Sequence, residues 1–210
     1  STPALWKEFL FVSDCLGHMR CFNIETLELK WCVKYTGCTQ SDNYALTIHE
    51  DSIIAPGNEF WPDSVPERAQ YGAGKMWFES GHRWAYRLSC ETGETIWRLD
   101  FNPIMRLTAT EINPHSIAVL WNFTPVVFDD YVCFMDMELG AYCCRWSDSQ
   151  YCWHREGGNG KMSTGNQCCG SNGILYITGN TFKFEQPPGQ WNNCEGVGEL
   201  RAFDIRSGEM

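Results

Sequence analysis

Cysteine is the residue type here with the widest chemical scope: the 210-residue chain carries 12. They are Cys15, Cys21, Cys32, Cys38, Cys90, Cys133, Cys143, Cys144, Cys152, Cys168, Cys169 and Cys194, two pairs being adjacent in sequence. An even, high count suits an oxidising compartment, where disulfides restrict the unfolded chain. Buried free thiols used as small apolar fillers are the competing reading, and spacing leaves any pairing open. There is no C-x-x-C, no Cys/His cluster at zinc spacing and no C-x-x-C-H haem attachment. The five histidines, His18, His49, His82, His115 and His154, stand apart, outside any H-E-x-x-H or triad-like context. Gly170-Ser-Asn-Gly173 has the wrong spacing for a nucleophile elbow. Gly157-Gly158-Asn-Gly160-Lys161 is followed by Met162, so it is not a Walker loop. Asp129, Asp130 and Asp136 read as solvated turn carboxylates before they read as a cation site. Asn122-Phe-Thr124 is a glycosylation sequon, with Pro125 directly after it. No local motif specifies a reaction, and the reading leans away from an enzyme.

Charge narrows the partners. Sixteen Lys and Arg face 26 Asp and Glu, a net charge of −10, and no basic stripe occurs. A surface for nucleic-acid phosphates needs the opposite. The longest apolar stretch, Ile117 to Phe128, is broken by Asn122 and Pro125 and is too short to span a bilayer. The sequence therefore predicts no transmembrane segment and no nucleic-acid partner; protein partners are expected. No basic start with an apolar core marks a signal peptide. The cysteine content leans the compartment toward secreted, periplasmic or organelle-lumenal.

The elements that would position these residues read as strands. Ten Trp, 12 Phe and 8 Tyr supply a core that disordered chains lack. Short runs such as Phe9-Leu-Phe-Val12, Met19 to Ile24, Ser52-Ile-Ile-Ala55, Trp84 to Leu88, Tyr131 to Met135 and Leu200 to Ile205 are separated by Gly, Asn, Asp and Pro. Leu29 to Tyr35 alternates apolar and polar side chains. No useful 3.6-residue periodicity competes, so the fold class is all-β and antiparallel. Residues 56–82, rich in Pro and Gly, and residues 156–172, rich in Gly, read as long loops inserted into a single domain over 1–210. Trp61, Trp77, Phe78 and Trp84, in and beside the first, form a candidate interaction patch.

An internal repeat organises the rest. Cys21-Phe-Asn-Ile-Glu-Thr-Leu-Glu-Leu-Lys-Trp31 aligns with Tyr86-Arg-Leu-Ser-Cys-Glu-Thr-Gly-Glu-Thr-Ile-Trp97, Phe134-Met-Asp-Met-Glu-Leu-Gly-Ala-Tyr-Cys-Cys144 and Ala202-Phe-Asp-Ile-Arg-Ser-Gly-Glu-Met210. Asn23, Ser89, Asp136 and Asp204 occupy its small polar position. Gly93 and Gly208 fall where a tight turn wants positive φ, and Asp136 and Asp204 where a side chain can accept from turn amides. Trp31 and Trp97 follow on the outer strand, placed to dock between neighbouring blades. A propeller blade needs about 40–50 residues, and the first and third intervals exceed that by roughly twenty, matching the two insertions.

The repeat resembles that of the quinoprotein (pyrroloquinoline-quinone, PQQ) dehydrogenase-like β-propellers, Ala-x-Asp-x-x-Thr-Gly-Lys/Glu-x-x-Trp. Thr92-Gly93-Glu94 with Trp97, and Ala202, Asp204 and Gly208, carry the match; Leu27, Arg87, Ser89 and Cys144 depart from it. The resemblance implies a β-propeller of four-stranded antiparallel blades, about four of them present, hence a partial propeller belonging to a longer chain or assembly. It also implies two functions. One is a non-enzymatic scaffold or protein-interaction module without cofactor, which the degenerate motifs favour. The other is a PQQ-dependent alcohol or sugar dehydrogenase with Ca2+, in which a vicinal disulfide of Cys168 and Cys169 would cover the quinone. Under that alternative the catalytic Asp and the metal ligands have no assignable positions.

Overall fold

In the computed structural model each run of alternating side chains becomes a strand of an antiparallel meander. The structure describes residues 2–37, 45–59, 82–101, 124–135, 139–155, 157, 161–162, 168–182 and 196–210. Among them are sixteen strands in four four-stranded sheets, and no helix. The chain divides into two compact units, residues 1–123 and 124–210.

The first unit holds two sheets. β1 (Ala4–Trp6), β2 (Phe9–Ser13), β3 (His18–Asn23) and β4 (Leu29–Lys34) pair in chain order. β5 (Thr47–His49), β6 (Ser52–Glu59), β7 (His82–Ser89) and β8 (Thr95–Asp100) do the same. Phe11, Met19, Cys21, Ile53, Ile54, Ala55, Ala85, Tyr86 and Leu88 are buried on the middle strands, while β4 stays largely exposed at the edge.

In the second unit, β9 (Val126–Phe128), β10 (Tyr131–Met135), β11 (Ala141–Arg145) and β12 (Tyr151–Arg155) form one meander. In the other sheet, β15 (Ile174–Phe182) carries β14 (Cys168–Ser171) and β13 (Lys161–Met162) as partners and also pairs with β16 (Gly196–Asp204). Val132 to Met135 and Ala141 to Cys144 are buried without alternation, the pattern of strands covered on both faces. Cys133, Met135, Leu139, Cys143, Trp153, Leu175, Ile177, Phe203 and Ile205 belong to one apolar cluster.

The first expected insertion begins and ends inside strands, and the second contains two short ones. β6 runs through Pro56 and Gly57 to Glu59, paired with β7 as far as Glu59↔His82. Pro56 is tolerated because its nitrogen faces away from β7. The Cys90 amide donates to the Asp51 carbonyl, and counting alternate pairs from there makes Pro56↔Ala85 a non-hydrogen-bonded pair. On the other edge β5 has already ended at Thr47↔Ile54, and the Tyr35 hydroxyl donates to the Pro56 carbonyl at 2.8 Å. The second expected loop contains β13 and β14. Asn172 (φ 53°) and Gly173 (φ 78°) turn β14 into β15 as a two-residue hairpin loop. Trp61, Trp77, Phe78, Asn122 and Asp136 lie outside the described residues.

Candidate functional site

Four hairpin turns share one hydrogen-bond pattern, and with the tryptophans that meet them they form the best-defined constellation of side chains. Counting the first turn residue as position one, its amide donates to the carbonyl of position six, and the amide of position five donates back to its carbonyl. Asn23 to Glu28, Ser89 to Glu94, Arg145 to Gln150 and Asp204 to Glu209 all obey this, at 2.8–3.0 Å. Position five is left-handed in every copy: Leu27 (φ 58°), Gly93 (φ 75°), Ser149 (φ 60°) and Gly208 (φ 68°). The first-position side chain caps two amides in three copies. Asn23 Oδ1 accepts from Glu25 and Thr26, Ser89 Oγ from Glu91 and Thr92, and Asp204 Oδ1 from Arg206 and Ser207. Position four then accepts from the amide of position six, through Thr26, Thr92, Asp148 and Ser207.

This pattern corrects the third repeat. Its turn starts at Arg145, not at Asp136, and its tryptophan is Trp153, so Cys144 does not stand in for the ring. The paired strands agree: a bulge falls between Cys21 and Phe22, between Arg87 and Leu88, and between Cys143 and Cys144, directly before each turn. The sequence alignment missed this copy because arginine cannot cap amides. Asp130, from the β9–β10 turn, does so instead, accepting from the Ser147 amide at 2.8 Å and its hydroxyl at 3.0 Å. Arg145 is held by Asp148 and Gln150. The signal available in the sequence was the tryptophan eight residues after the turn start, shared by Trp31, Trp97 and Trp153.

The tryptophans then reach the next turn in the same unit. The Trp31 indole N–H donates to the Cys90 carbonyl at 3.3 Å, and a Cβ on Gly93 would lie 2.9 Å from its ring. The Trp153 indole N–H donates to the Ile205 carbonyl at 2.8 Å, and a Cβ on Gly208 would lie 2.6 Å from its ring. In each case the accepting carbonyl is three residues before the glycine. Gly93 and Gly208 are thus fixed twice, by positive φ and by the ring above them. Arg155 adds to the second contact, donating to the Gly208 and Ser207 carbonyls at 2.7 and 3.1 Å. Trp97 is buried at the equivalent place on β8.

The cysteines behave differently from the expectation of disulfides. All ten described cysteines are free thiols, six of them buried. Cys168 and Cys169 are neighbours on β14, paired with Ile177 and Tyr176. Successive side chains on a strand point to opposite faces: Cys168 is buried and Cys169 exposed. The Cys168 thiol donates to the Thr124 carbonyl at 2.8 Å, and burial pushes its pKa up to about 12. Two thiols held this way present no flat ring to stack on a quinone, so the vicinal pair does not fit that role. No cluster of His, Cys, Asp and Glu suited to a metal ion occurs among the described residues. Trp84, the one described member of the aromatic patch, is half-buried with the Arg98 guanidinium 4.4 Å over its ring.

Comparison with known proteins bears on the fold. No family profile matches the chain, and no characterised protein matches it by sequence. Solved structures do. BamB from Moraxella catarrhalis matches with a TM-score of 0.53 at 12% identity, covering 96% of this chain and 48% of that one. Quinohemoprotein alcohol dehydrogenase from Comamonas testosteroni matches with a TM-score of 0.60 at 11% identity, covering 99% and 33%. The computationally designed Ika4 protein matches with a TM-score of 0.51 at 10% identity, covering 95% and 88%. The chain spans about half the length of BamB and a third of that dehydrogenase. Its four antiparallel sheets, in an all-β chain, have the blade architecture of the β-propeller fold that BamB and the quinoprotein dehydrogenases share.

Proposed function

We propose that this chain acts as a non-enzymatic β-propeller scaffold that binds protein partners. The observation that carries this reading is the apolar end of the first blade: around the β3–β4 turn Ile24, Leu27 and Leu29 are exposed, Leu27 by 73%. Three large aliphatic side chains on one short hairpin offer a contact surface. The described repeat residues are consistent with this reading, because they cap turns and dock rings. An acidic chain with such a patch suits a protein partner better than a nucleic acid.

The test has two arms. Cross-linking of the native protein in its source should capture partners, and Leu27→Asp with Leu29→Asp should abolish capture while leaving the circular dichroism unchanged. Titrating the full chain with PQQ and Ca2+ should give no saturable quenching of tryptophan fluorescence. Saturable quenching that disappears on replacing Cys168 and Cys169 by Ser would overturn the scaffold reading and make the chain part of a dehydrogenase.

A further inference from the structure

Three thiols on adjacent strands of the third sheet have no place in the turn and docking scheme. Cys133 on β10 and Cys143 on β11 are paired in register, and both are fully buried. Cys152 on β12 is exposed. It is the extra residue of the bulge, since Cys143 pairs with Trp153 and Cys144 with Tyr151. Cys143 thus stands opposite Cys133 on one side and, on the other, opposite Trp153, the residue next to Cys152.

The ladder fixes what the first pair can do. The Trp146 amide donates to the Asp130 carbonyl at 2.9 Å, which makes these two a hydrogen-bonded pair one step beyond Tyr131↔Arg145. Pairs alternate along an antiparallel ladder, so Cys133↔Cys143 is non-hydrogen-bonded. In such pairs the Cα atoms lie about 4.5 Å apart and the side chains are closest. A disulfide requires Cα separations of about 4.4–6.8 Å, so this bond closes without moving either strand. The adjacent pairs Cys143-Cys144 and Cys168-Cys169 have no such geometry, because neighbours on a strand face apart.

We propose that Cys133 and Cys143 are a redox dithiol that closes to a cross-strand disulfide, loaded through the exposed Cys152 by a small oxidised thiol such as oxidised glutathione. The Cys152 thiolate attacks one sulfur of the glutathione disulfide, forming a mixed disulfide and expelling one glutathione thiolate. Cys143 then attacks Cys152 Sγ and releases the second glutathione. Cys133 attacks Cys143 Sγ in turn and returns Cys152 to the thiol. Two protein S–H bonds are replaced by one S–S bond, and two electrons and two protons leave with the glutathione as two thiols. Buried as they are, Cys133 and Cys143 need such a go-between. The neighbouring Cys133 thiol and burial both push the Cys143 pKa up, which further disfavours direct attack on an outside disulfide.

The experiment equilibrates the full chain across a series of oxidised-to-reduced glutathione ratios, traps free thiols with iodoacetamide and maps chymotryptic peptides, cleavage after Phe134 and Tyr142 separating the two cysteines. The expected product links the Cys133 peptide to the Cys143–Cys144 peptide, with fragmentation placing the bond on Cys143. In Cys152→Ala, an exposed site whose replacement leaves the core intact, the same bond forms about tenfold more slowly. Full alkylation of Cys133 across the series, or a bond on Cys144, overturns the dithiol. Closure of Cys152→Ala at the unmodified rate overturns the loading route.

Discussion

Removing Trp153 and crowding Gly208 tests the docking scheme most directly, because the two changes should interfere with one another by a calculable amount. Trp153 is 7% exposed and donates to the Ile205 carbonyl at 2.8 Å, so Trp153→Ala should cost about 3–5 kcal/mol, as for other buried aromatics. Gly208→Ala carries two penalties. A left-handed φ of 68° costs an L-residue about 1–2 kcal/mol. A methyl built 2.6 Å from Trp153 Cδ2 forces the ring to shift, about 1–3 kcal/mol by analogy with overpacked cores. In the double variant the ring is gone and only the φ penalty of the alanine remains. The double change should therefore be less destabilising than the sum of the single ones by about 1–3 kcal/mol. Urea unfolding of the full chain and the three variants, followed by far-ultraviolet circular dichroism, supplies the four free energies. Additivity to within about 0.5 kcal/mol would show that the ring does not sit over Gly208 and would refute the docking geometry.

Three further outcomes follow from the same turns and their surroundings. Leu27→Gly and Ser149→Gly should each stabilise the fold by about 0.5–1 kcal/mol, because glycine removes the cost of positive φ at the two copies that lack it; thermal melts would read this, and a lower midpoint for both would contradict it. Asp130→Ala should destabilise the third sheet by about 1 kcal/mol by uncapping the Ser147 amide, an exposed group that water can partly resatisfy; the urea midpoint of the variant against the full chain reads it, and an unchanged midpoint would contradict the cap. Burial raises the pKa of Asp14, but donation from the His18 amide, the Arg20 guanidinium, the His18 ring and the Leu16 amide outweighs it and brings the value down to about 2. A depressed carboxyl pKa stabilises fully above its unfolded value near 4 and is lost as pH falls through about 2; comparison with Asp14→Asn should show about 1 kcal/mol vanishing across that window, after allowance for solvent screening.

The sequence made the fold legible where local chemistry was self-contained. Gly93, Ser89 and Trp97 stand in one continuous segment, as do Asn23 and Trp31, so turn, cap and ring could be aligned by eye. The strands failed where a rule had a silent exception. Pro56 looked like the end of a strand, yet its nitrogen faces an edge that β5 has vacated, which only the pairing register reveals. The cysteines resisted for a similar reason. Adjacency in sequence drew attention to Cys168 and Cys169, which a strand separates, while Cys133 and Cys143 are brought opposite each other by a hairpin whose register spacing does not encode.

The third repeat shows how the turn geometry persists while the sequence motif degenerates. What the turn requires is a set of functions: a side-chain acceptor for its amides, a residue that tolerates positive φ, and a ring at a fixed offset. None of these has to come from the residue that supplies it elsewhere. In the third copy the acceptor is Asp130, fifteen residues before the position it replaces, and Arg145 is freed to bind Asp148 and Gln150. In the first copy Leu27 holds the left-handed position at an energetic cost instead of glycine. Each substitution erases one column of the motif, and Leu27, Arg145 and Ser149 are three such losses in two of the copies. The bulge before the turn and the paired amide–carbonyl bonds are made by the backbone and persist through the first three copies, and the tryptophan eight residues on persists with them. If this is right, exchanging Arg145 for Asp in an Asp130→Ala background should restore stability by returning the acceptor to the turn itself. Failure of Arg145→Asp to recover at least half of the Asp130→Ala loss in urea unfolding would mean that Asp130 does more than cap.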